Sequence, residues 1–526
     1  MHHLAKDTLD AYRAAFAQEV AAGLRRPYSI PYVLVPMFGI TTLWLAIPHT
    51  KRPWVYHTRW LVTALVVILN LEHTFRVSSP NIAASYASGT AATWGSMTCL
   101  NLLIWTRPQF EAARVVSIKR KARASGNSEA TNGNGTAARR RRVNGNGQTN
   151  GHGHHDNKEE LVHVWQKFPE NESFLNRLGW SWDLVSSFRG AGWNWSSSAI
   201  PRPADILETI VDGSIVDVST IPLVTASGYV RCATKRDFVW SRARTLLMSY
   251  LLLDFLTSFM INDPYAILGP DQPHHLYPLP WYLASLPAPA LLLYREIFSM
   301  VAILATVDGV FAAADLVQYF VIKRFFPLRD NTWMYASTYG SFSQVLDRGL
   351  AGMWGAWWHQ TFRIQFLAPA TWMIRHGYLQ KGTLFTAILS MFISFTQSGL
   401  MHMSGSVSSM PQTKPWRPLL FFLCQGVGIC IQQVILAILK PVSKAAPRAI
   451  CRASNFLFVL GWLFLTAPLF VDDLAALGLW LLEPVPVSLF RGLGMGEPGA
   501  GWLRWDRYYV AQPHLDKNWF LSGLVI

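Results

Sequence analysis

The chain has 526 residues, of which 51% are hydrophobic and 15% are charged, and 23 of them are tryptophan. Such a composition is too apolar for an ordinary soluble protein. The net charge of +15 does not indicate a nucleic-acid partner, because the basic residues gather in loops between apolar runs, as the positive-inside rule predicts for a membrane protein.

Eight apolar runs follow one another along the chain, and about 20 residues are enough for a helix to cross roughly 30 Å of hydrocarbon. The shorter runs gain length from flanking aromatic residues. We therefore expect an all-α fold, a polytopic transmembrane helical bundle of about eight to ten spans. The runs are Ser29–Pro48, Trp60–Leu71, Asn81–Trp105, Thr245–Ile261, Phe298–Ile322, Thr383–Met401, Leu419–Leu439 and Phe456–Phe470.

The loops after the first and third runs are basic, with Lys51 and Arg52 in one and Arg107 and Arg114 in the other. Both loops lie on one side of the bilayer, so the positive-inside rule places them in the cytosol and the N-terminus on the opposite side. Met1–Pro27 mixes acidic and basic residues before the first run, which predicts no cleavable signal. We expect a multi-pass protein of the endoplasmic reticulum membrane.

Changes in composition divide the chain into four segments. We predict N-terminal transmembrane helices over 1–106, a basic low-complexity cytosolic linker over 107–160, an interfacial or cytosolic segment over 161–244, and a transmembrane core with the candidate catalytic residues over 245–526. The linker segment Ser125–Asn157 is rich in Asn, Gly and Thr and is expected to be disordered. Its histidines have glycine-rich flanks that do not preorganise ligands, so no metal site is predicted. They are His152, His154 and His155.

His402 directly follows the apolar run that ends in Gln-Ser-Gly-Leu-Met401. In a helix the preceding turn places Ser398 and Gly399 on the same face, where small side chains let a substrate approach the imidazole. A neutral imidazole can accept a proton from a hydroxyl group, as acyl transfer to an alcohol requires. The other interpretation is a histidine bonded to a neighbouring helix for packing, and spacing alone does not decide between the two.

The stretch Trp354-Gly-Ala-Trp-Trp-His-Gln-Thr-Phe-Arg363 places a second histidine beside an apolar region. If Leu350–Phe362 is helical, Gly355 and His359 share a stripe with Arg363 at its mouth, and Trp358 adds bulk beside it. Such a groove suits an acyl-CoA, whose phosphates seek arginine. The alternative is a Trp-rich amphipathic helix on the membrane surface.

Asp308 and Asp315 lie inside the run Phe298–Ile322, seven residues apart and so on one helix face. Ionisable residues within a span pair with one another, face a wet cavity or do chemistry. The two aspartates therefore suggest either a polar pair inside the bundle, with Asp315 meeting a basic residue on a neighbouring span, or a proton or ion path. The second interpretation keeps a membrane transporter as an alternative class.

Four motifs carry a resemblance to a known family. The sequence resembles the membrane-bound O-acyltransferase superfamily over roughly Asp183 to Phe470, specifically the wax-synthase-like branch with fungal acetyltransferases of terpenoid and meroterpenoid biosynthesis. The matching motifs are Arg189-Gly-Ala-Gly-Trp193, Tyr339-Gly-Ser-Phe342, Leu350-Ala-Gly-Met-Trp-Gly-Ala-Trp-Trp-His-Gln360 and Ser398-Gly-Leu-Met-His402.

The resemblance implies a membrane-embedded O-acetyltransferase of secondary metabolism, which takes acetyl-CoA as co-substrate, with no bound cofactor, and a lipophilic terpenoid alcohol as acceptor. His402 takes the place of the family's catalytic histidine, and His359 stands where many members have asparagine. In the family's scheme His402 draws the proton from the acceptor hydroxyl, and His359 or Gln360 steadies the carbonyl oxygen or the CoA. A long-chain wax-ester or sterol-ester synthase is the alternative within the class.

The chain departs from the family pattern at two places. Ala356 and Trp357 stand where basic residues are frequent, which weakens the case for CoA phosphates in this stretch. Met403 follows His402 where an acidic residue is frequent, so any side chain that orients His402 has to come from elsewhere in the bundle.

Overall fold

Long apolar helices form the frame of the molecule, because a helix that is apolar all round buries its surface only against other helices or lipid. A computed structural model describes residues 1–121, 159–203, 210–495 and 501–526. Within these ranges, six helical segments are long and apolar enough to cross a membrane. The expected all-α, polytopic architecture is confirmed. The six segments are Pro53–Arg76, Lys235–Met260, Ala288–Arg324, Leu384–Ser408, Trp416–Ile438 and Arg448–Thr466.

The α-helices, in chain order, are α1 (His2–Ala21), α2 (Ile40–Leu45), α3 (Pro53–His57), α4 (Arg59–Arg76), α5 (Ile82–Leu100), α6 (Pro108–Glu111), α7 (Phe174–Val185), α8 (Lys235–Met260), α9 (Pro264–Leu268), α10 (Trp281–Ala284), α11 (Ala288–Phe320), α12 (Ser343–Gly352), α13 (Arg363–Arg375), α14 (Leu384–Ser408), α15 (Trp416–Ile438), α16 (Lys440–Ala445), α17 (Arg448–Thr466) and α18 (Pro468–Ala476). Turns of π-helix cover Val35–Gly39, Asn101–Trp105, Met353–Trp357 and Arg491–Met495. Short 3₁₀ turns cover Val218–Thr220, His274–Leu276, Ile322–Arg324, Pro327–Asp330, Thr332–Met334, Leu479–Leu481, Arg507–Tyr509 and Trp519–Leu521.

The first predicted span differs most from its expected form. Within Ser29–Pro48 only Val35–Leu45 forms a continuous apolar helix, since Ser29–Ile30 is a strand and two prolines follow it. A proline inside a helix removes a backbone hydrogen bond and clashes with the preceding turn. The run Asn81–Trp105, by contrast, is helical from α5 through its π turn.

Short strands tie the ends of the chain and the ends of the linker together. They are β1 (Arg26–Pro27), β2 (Ser29–Ile30), β3 (Val77–Ser78), β4 (Arg114–Lys121), β5 (Glu159–Gln166), β6 (Gln512–His514) and β7 (Gly523–Val525). β1 pairs with β3 in parallel, and β7 lies between β2 and β6 in an antiparallel sheet. The pairing of β2 with β7 places the N-terminal and C-terminal regions on the same side of the bundle.

The start of the predicted linker is ordered, which the composition did not indicate. β4 pairs antiparallel with β5, with Arg114 opposite Gln166 and Lys121 opposite Glu159. Val115 and Trp165 lie opposite each other in this pair of strands, and both are buried. The disorder expected over Ser125–Asn157, and the histidines there, lie outside the described residues, and the four-segment division stays a prediction.

Helices α5 and α14 approach each other closely along small residues, a contact that we call the α5–α14 seam. A Cβ atom added at Gly89 would lie 1.9 Å from the carbonyl oxygen of Ser404. The Ser404 hydroxyl donates to the carbonyl of Gly89 at 2.8 Å, and the amide of Gly89 donates to the hydroxyl of Ser408 at 2.9 Å. Small residues and interhelical hydroxyl bonds are what holds helices together in a membrane.

Residues 343–375 form two helices, α12 and α13, joined by a π turn and an irregular turn, and we call this stretch the re-entrant segment. α12 contains Gly349 at φ +60°, and the side chain of Gln432 occupies the place where a Cβ atom would lie. The helix continues through a π turn and ends at Trp358, whose backbone is extended. Leu350–Phe362 is therefore not one continuous helix: the helix ends immediately before His359, and the stripe that a continuous helix would give, with Gly355, His359 and Arg363 on one face, does not form.

Candidate active site

His402 lies near the C-terminal end of α14, held by side chains from three other helices. Its Nδ1 atom is 2.8 Å from the hydroxyl of Tyr86 on α5. Phe422 of α15 stacks on the imidazole at 5.0 Å between ring centroids, and Phe470 of α18 meets it edge-on at 5.1 Å. These contacts fix the ring plane and leave only Nε2 without a hydrogen bond to any described residue.

The ring of His402 is half-buried although helices surround it. Its Nδ1 bonds to a neighbouring helix, as a histidine kept for packing would also do. Its Nε2 forms no hydrogen bond with a described residue, so this nitrogen is available to a substrate.

His359 lies in the irregular turn between the π turn of the re-entrant segment and α13. Its Nδ1 atom is 3.2 Å from the hydroxyl of Thr361, two residues further on. Phe311 of α11 lies 6.1 Å from the imidazole between ring centroids. Burial lowers the pKa of His359 to about 3, and the nearby charge of Arg189 acts in the same direction. The imidazole is therefore neutral at pH 7 and can donate one hydrogen bond through Nε2 when Thr361 donates to Nδ1.

The two histidines belong to one site. A chain of aromatic contacts joins them, from His402 to Phe422 at 5.0 Å, Phe422 to Trp354 at 5.9 Å, Trp354 to Trp358 at 5.6 Å and Trp358 to His359 at 5.2 Å. The two rings are also near enough to interact electrostatically. Both rings are half-buried, so the re-entrant segment brings its histidine into the same part of the bundle as His402.

Gln360 and Arg363 form hydrogen bonds with the backbone at the end of the π turn. The amide nitrogen of Gln360 donates to the carbonyls of Trp354 at 3.0 Å and Trp358 at 2.7 Å. Arg363 donates from Nη1 to the carbonyl of Gly355 at 2.9 Å and to Oε1 of Gln360 at 2.7 Å. Both ends of the Gln360 amide are thus engaged within the protein, while Nη2 of Arg363 bonds to no described residue.

The other predicted substrate-binding residues lie at different distances from the histidines. Trp358 contacts His359 directly, and its carbonyl also accepts the hydroxyl of Tyr229 at 2.9 Å. Ser398 lies one turn before His402 on α14 and is half-buried. Gly399 faces α15 instead, where a Cβ atom would meet Leu419. Gly355 is exposed, with nothing within 4 Å of the place for a Cβ atom.

Arg189 is a site residue that the sequence motif contained without showing its role. The guanidinium is buried and donates to the carbonyls of Ser337 at 2.8 Å and Thr338 at 3.0 Å. It also lies 5.2 Å from the centre of the Phe311 ring. Gly190, at φ +65°, turns the backbone sharply after it. Arg189 thus holds the backbone at Ser337 and Thr338, just before the re-entrant segment. Its positive charge also acts on His359.

The two aspartates of α11 have separate environments. The guanidinium of Arg242 on α8 donates to Asp315 at 2.7 Å, so the predicted pairing with a basic residue on a neighbouring span is confirmed. Asp308 is half-buried and lies near Tyr339, whose hydroxyl donates to the carbonyl of Leu304 at 3.1 Å. Among the described residues no group of three or more His, Cys, Asp or Glu side chains could hold a metal ion.

The fold and the site together define a class: a polytopic membrane protein with two half-buried histidines in one site. Residues 335–424 match a family model described as the membrane bound O-acyl transferase family, and this stretch contains both His359 and His402. The match supports a membrane-embedded acyltransferase rather than the transporter that the buried aspartates suggested as an alternative.

Several fungal transferases are similar to the chain. Acetyltransferase pyr8 of Aspergillus fumigatus is 22% identical over 357 residues, which cover 64% of this chain and 74% of that protein. O-Mevalon transferase yanI of Aspergillus niger is 23% identical over 55% of this chain and 60% of its own length. Acetyltransferase aurG of Calcarisporium arbuscula is 23% identical over 58% and 67%, respectively. No solved structure matches the chain.

Proposed function

We propose that the chain is an O-acetyltransferase that moves an acetyl group from acetyl-CoA to a hydroxyl of a lipophilic terpenoid or meroterpenoid, in fungal secondary metabolism at the endoplasmic reticulum. One observation carries the proposal: Nδ1 of His402 is held by Tyr86, while Nε2 of this half-buried ring forms no hydrogen bond with a described residue. Two of the relatives quoted above are acetyltransferases by name, which favours an acetyl donor.

In the proposed reaction Nε2 of His402 accepts the proton of the acceptor hydroxyl as its oxygen attacks the thioester carbonyl carbon. The carbon–sulfur bond then breaks, the ester forms, and the imidazolium returns the proton to the sulfur of CoA. The negative charge that develops on the carbonyl oxygen needs a donor placed in advance. Neutral His359 supplies one through its Nε2–H, and the positive field of Arg189 beside it acts in the same sense.

The donor and the acceptor reach the histidines from different environments in this proposal. Arg363, with Nη2 uncommitted, offers a phosphate contact for CoA, and Gly355, Trp358, Gln360 and Ser398 are the other residues proposed to contact the substrates. A cavity of about 420 Å³ opens between the end of α5, α13 and α14. Its lining is mostly apolar, and Gln397 places it about 8 Å along the helix axis from His402. An oily alcohol dissolved in the bilayer suits that opening.

The proposal is tested with the full-length protein purified in detergent. Isotope-labelled acetyl-CoA and a panel of lipophilic alcohols, including terpenoid alcohols, are supplied, and mass spectrometry detects the acetyl esters. We expect label on at least one terpenoid alcohol. Preference for palmitoyl-CoA over acetyl-CoA would instead identify a wax-ester or sterol-ester synthase, and no ester with any donor would overturn the proposed function.

A further inference from the structure

Tyr86 is the only described side chain that forms a hydrogen bond with the His402 ring, at 2.8 Å between its hydroxyl and Nδ1. It belongs to α5, outside the residues that match the family model. We propose that Tyr86 is a positioning residue that fixes the ring orientation and the tautomer of His402, an inference that rests on the proposed function.

The tautomer decides whether His402 can act as a base. If Tyr86 donates to Nδ1, the ring proton is on Nε2, and that nitrogen has no lone pair for a substrate. If Nδ1–H donates to Tyr86, Nε2 carries the lone pair and can accept the hydroxyl proton. Proton abstraction at Nε2 therefore requires the tyrosine oxygen to accept.

Asp473 favours the second arrangement. Its carboxyl group is buried, and its Oδ2 accepts the hydroxyl of Ser406, one turn after His402 on α14. Its second oxygen lies within reach of the Thr413 hydroxyl, and the carboxyl group is near enough to act electrostatically on Tyr86. A negative charge there draws the hydroxyl proton of Tyr86 toward itself, which leaves the lone pairs of the oxygen for Nδ1–H.

The α5–α14 seam sets the distance between the tyrosine and the histidine. A Cβ atom at Gly405 would lie 2.8 Å from the ring of Tyr86, so only glycine lets the tyrosine ring lie flat along α14 at this level. The adjacent Gly89 brings the two backbones together. The small residues of the seam thus have a second effect beyond packing, since they bring the hydroxyl within bonding distance of Nδ1.

The test is Tyr86→Phe, which removes the hydroxyl and keeps the ring. Once the wild-type protein has shown acetyl transfer, we expect kcat to fall roughly 10- to 100-fold, the loss typical when a residue that orients a functional histidine is removed. The KM values for acetyl-CoA and the alcohol should stay within about twofold, because Tyr86 does not touch substrate in the proposed scheme. The melting temperature checks that the fold persists.

Tyr250→Phe is the matched control, because the Tyr250 hydroxyl donates to the carbonyl of Val487 away from the histidines. Its kcat should equal that of the wild type. Asp473→Asn is the second variant and keeps an acceptor for Ser406 while removing the charge; we expect a smaller fall in kcat, again at constant KM. If Tyr86→Phe does not fold, the kcat of Asp473→Asn tests the inference instead.

Several outcomes overturn the inference while leaving the proposed function intact. They are a kcat of Tyr86→Phe within twofold of the wild type, a change confined to KM for the alcohol, and, where Tyr86→Phe does not fold, an unchanged kcat in Asp473→Asn. An inactive wild type on the whole panel removes the proposed function itself, before the variants are made.

Discussion

His402 and His359 are both held through Nδ1 by a hydroxyl group, yet the two hydroxyls come from very different places in the chain. Thr361 lies two residues after His359, whereas Tyr86 lies 316 residues before His402. The ring of His359 is therefore placed by its own turn, and the ring of His402 by the packing of two helices. Disturbing the α5–α14 seam should affect His402 alone, and disturbing the re-entrant segment should affect His359 first.

The two surroundings also suit two different tasks. His402 is on a regular helix and is stacked on Phe422, which suits the rigid base that we propose. His359 is on a helix break, beside Arg189, in surroundings that keep it neutral. A rigid proton acceptor opposite a neutral donor is the arrangement that acyl transfer requires.

His402→Ala should have the largest effect, because it removes the proposed base. We expect acetyl transfer to fall by roughly 10²- to 10⁴-fold, the usual contribution of a general base. Initial rates with labelled acetyl-CoA measure it. His376→Ala is the matched control, since His376 is exposed at the end of α13; near-normal turnover of His402→Ala would remove this residue from catalysis.

Gly89→Ala should have the next largest effect and tests the seam. The new methyl group would meet the backbone of Ser404 at 1.9 Å, so α5 and α14 must separate. Overpacking of this kind costs about 1–3 kcal/mol, and separation also lengthens the bond between Tyr86 and His402. The melting temperature and kcat should both decrease. Gly461→Ala on α17 is the control, because a Cβ atom there meets nothing within 4 Å. If the two variants had the same melting temperature and kcat, the proposed role of the α5–α14 seam would be wrong.

The sequence predicted the helices and both histidines, because long apolar runs and local motifs do not depend on tertiary contacts. It did not predict Tyr86, a single hydroxyl inside an apolar run. A usable signal was present: Ser85 and Gly89 on one apolar run, and Ser404 and Ser408 just after another, repeat small residues at a spacing of four. That pattern is typical of helices in close contact within a membrane, and it would have paired α5 with α14.

The break before His359 could not be predicted in the same way. The stretch from Met353 to Trp357 contains no proline, and its composition suits a helix. The π turn is stabilised instead by tertiary contacts, among them the bond of Gln432 to the backbone of Leu350 at 2.9 Å. Gly349 was the only local sign, since φ +60° is readily adopted only by glycine.

His359→Asn should have a moderate effect, because asparagine keeps a side-chain donor and shortens its reach. We expect transfer to fall about tenfold, equivalent to about 1.4 kcal/mol of transition-state stabilisation, with the KM values little changed. The rate of acetyl transfer by His359→Ala, which has no side-chain donor at this position, should be lower still. Complete loss in His359→Asn would show that His359 transfers a proton, and the division of roles between the two histidines would then be wrong.

Gly355→Ala should have the smallest effect and separates protein contacts from ligand contacts in the re-entrant segment. The added methyl group meets no protein atom within 4 Å, so the melting temperature should not change. Any rise in KM for acetyl-CoA would then come from the ligand itself, and we expect a few-fold rise if the CoA chain passes over this glycine. An unchanged KM would show that the donor takes another route, and Arg363, bonded to the carbonyl of Gly355 at 2.9 Å, would lose its place in that route as well.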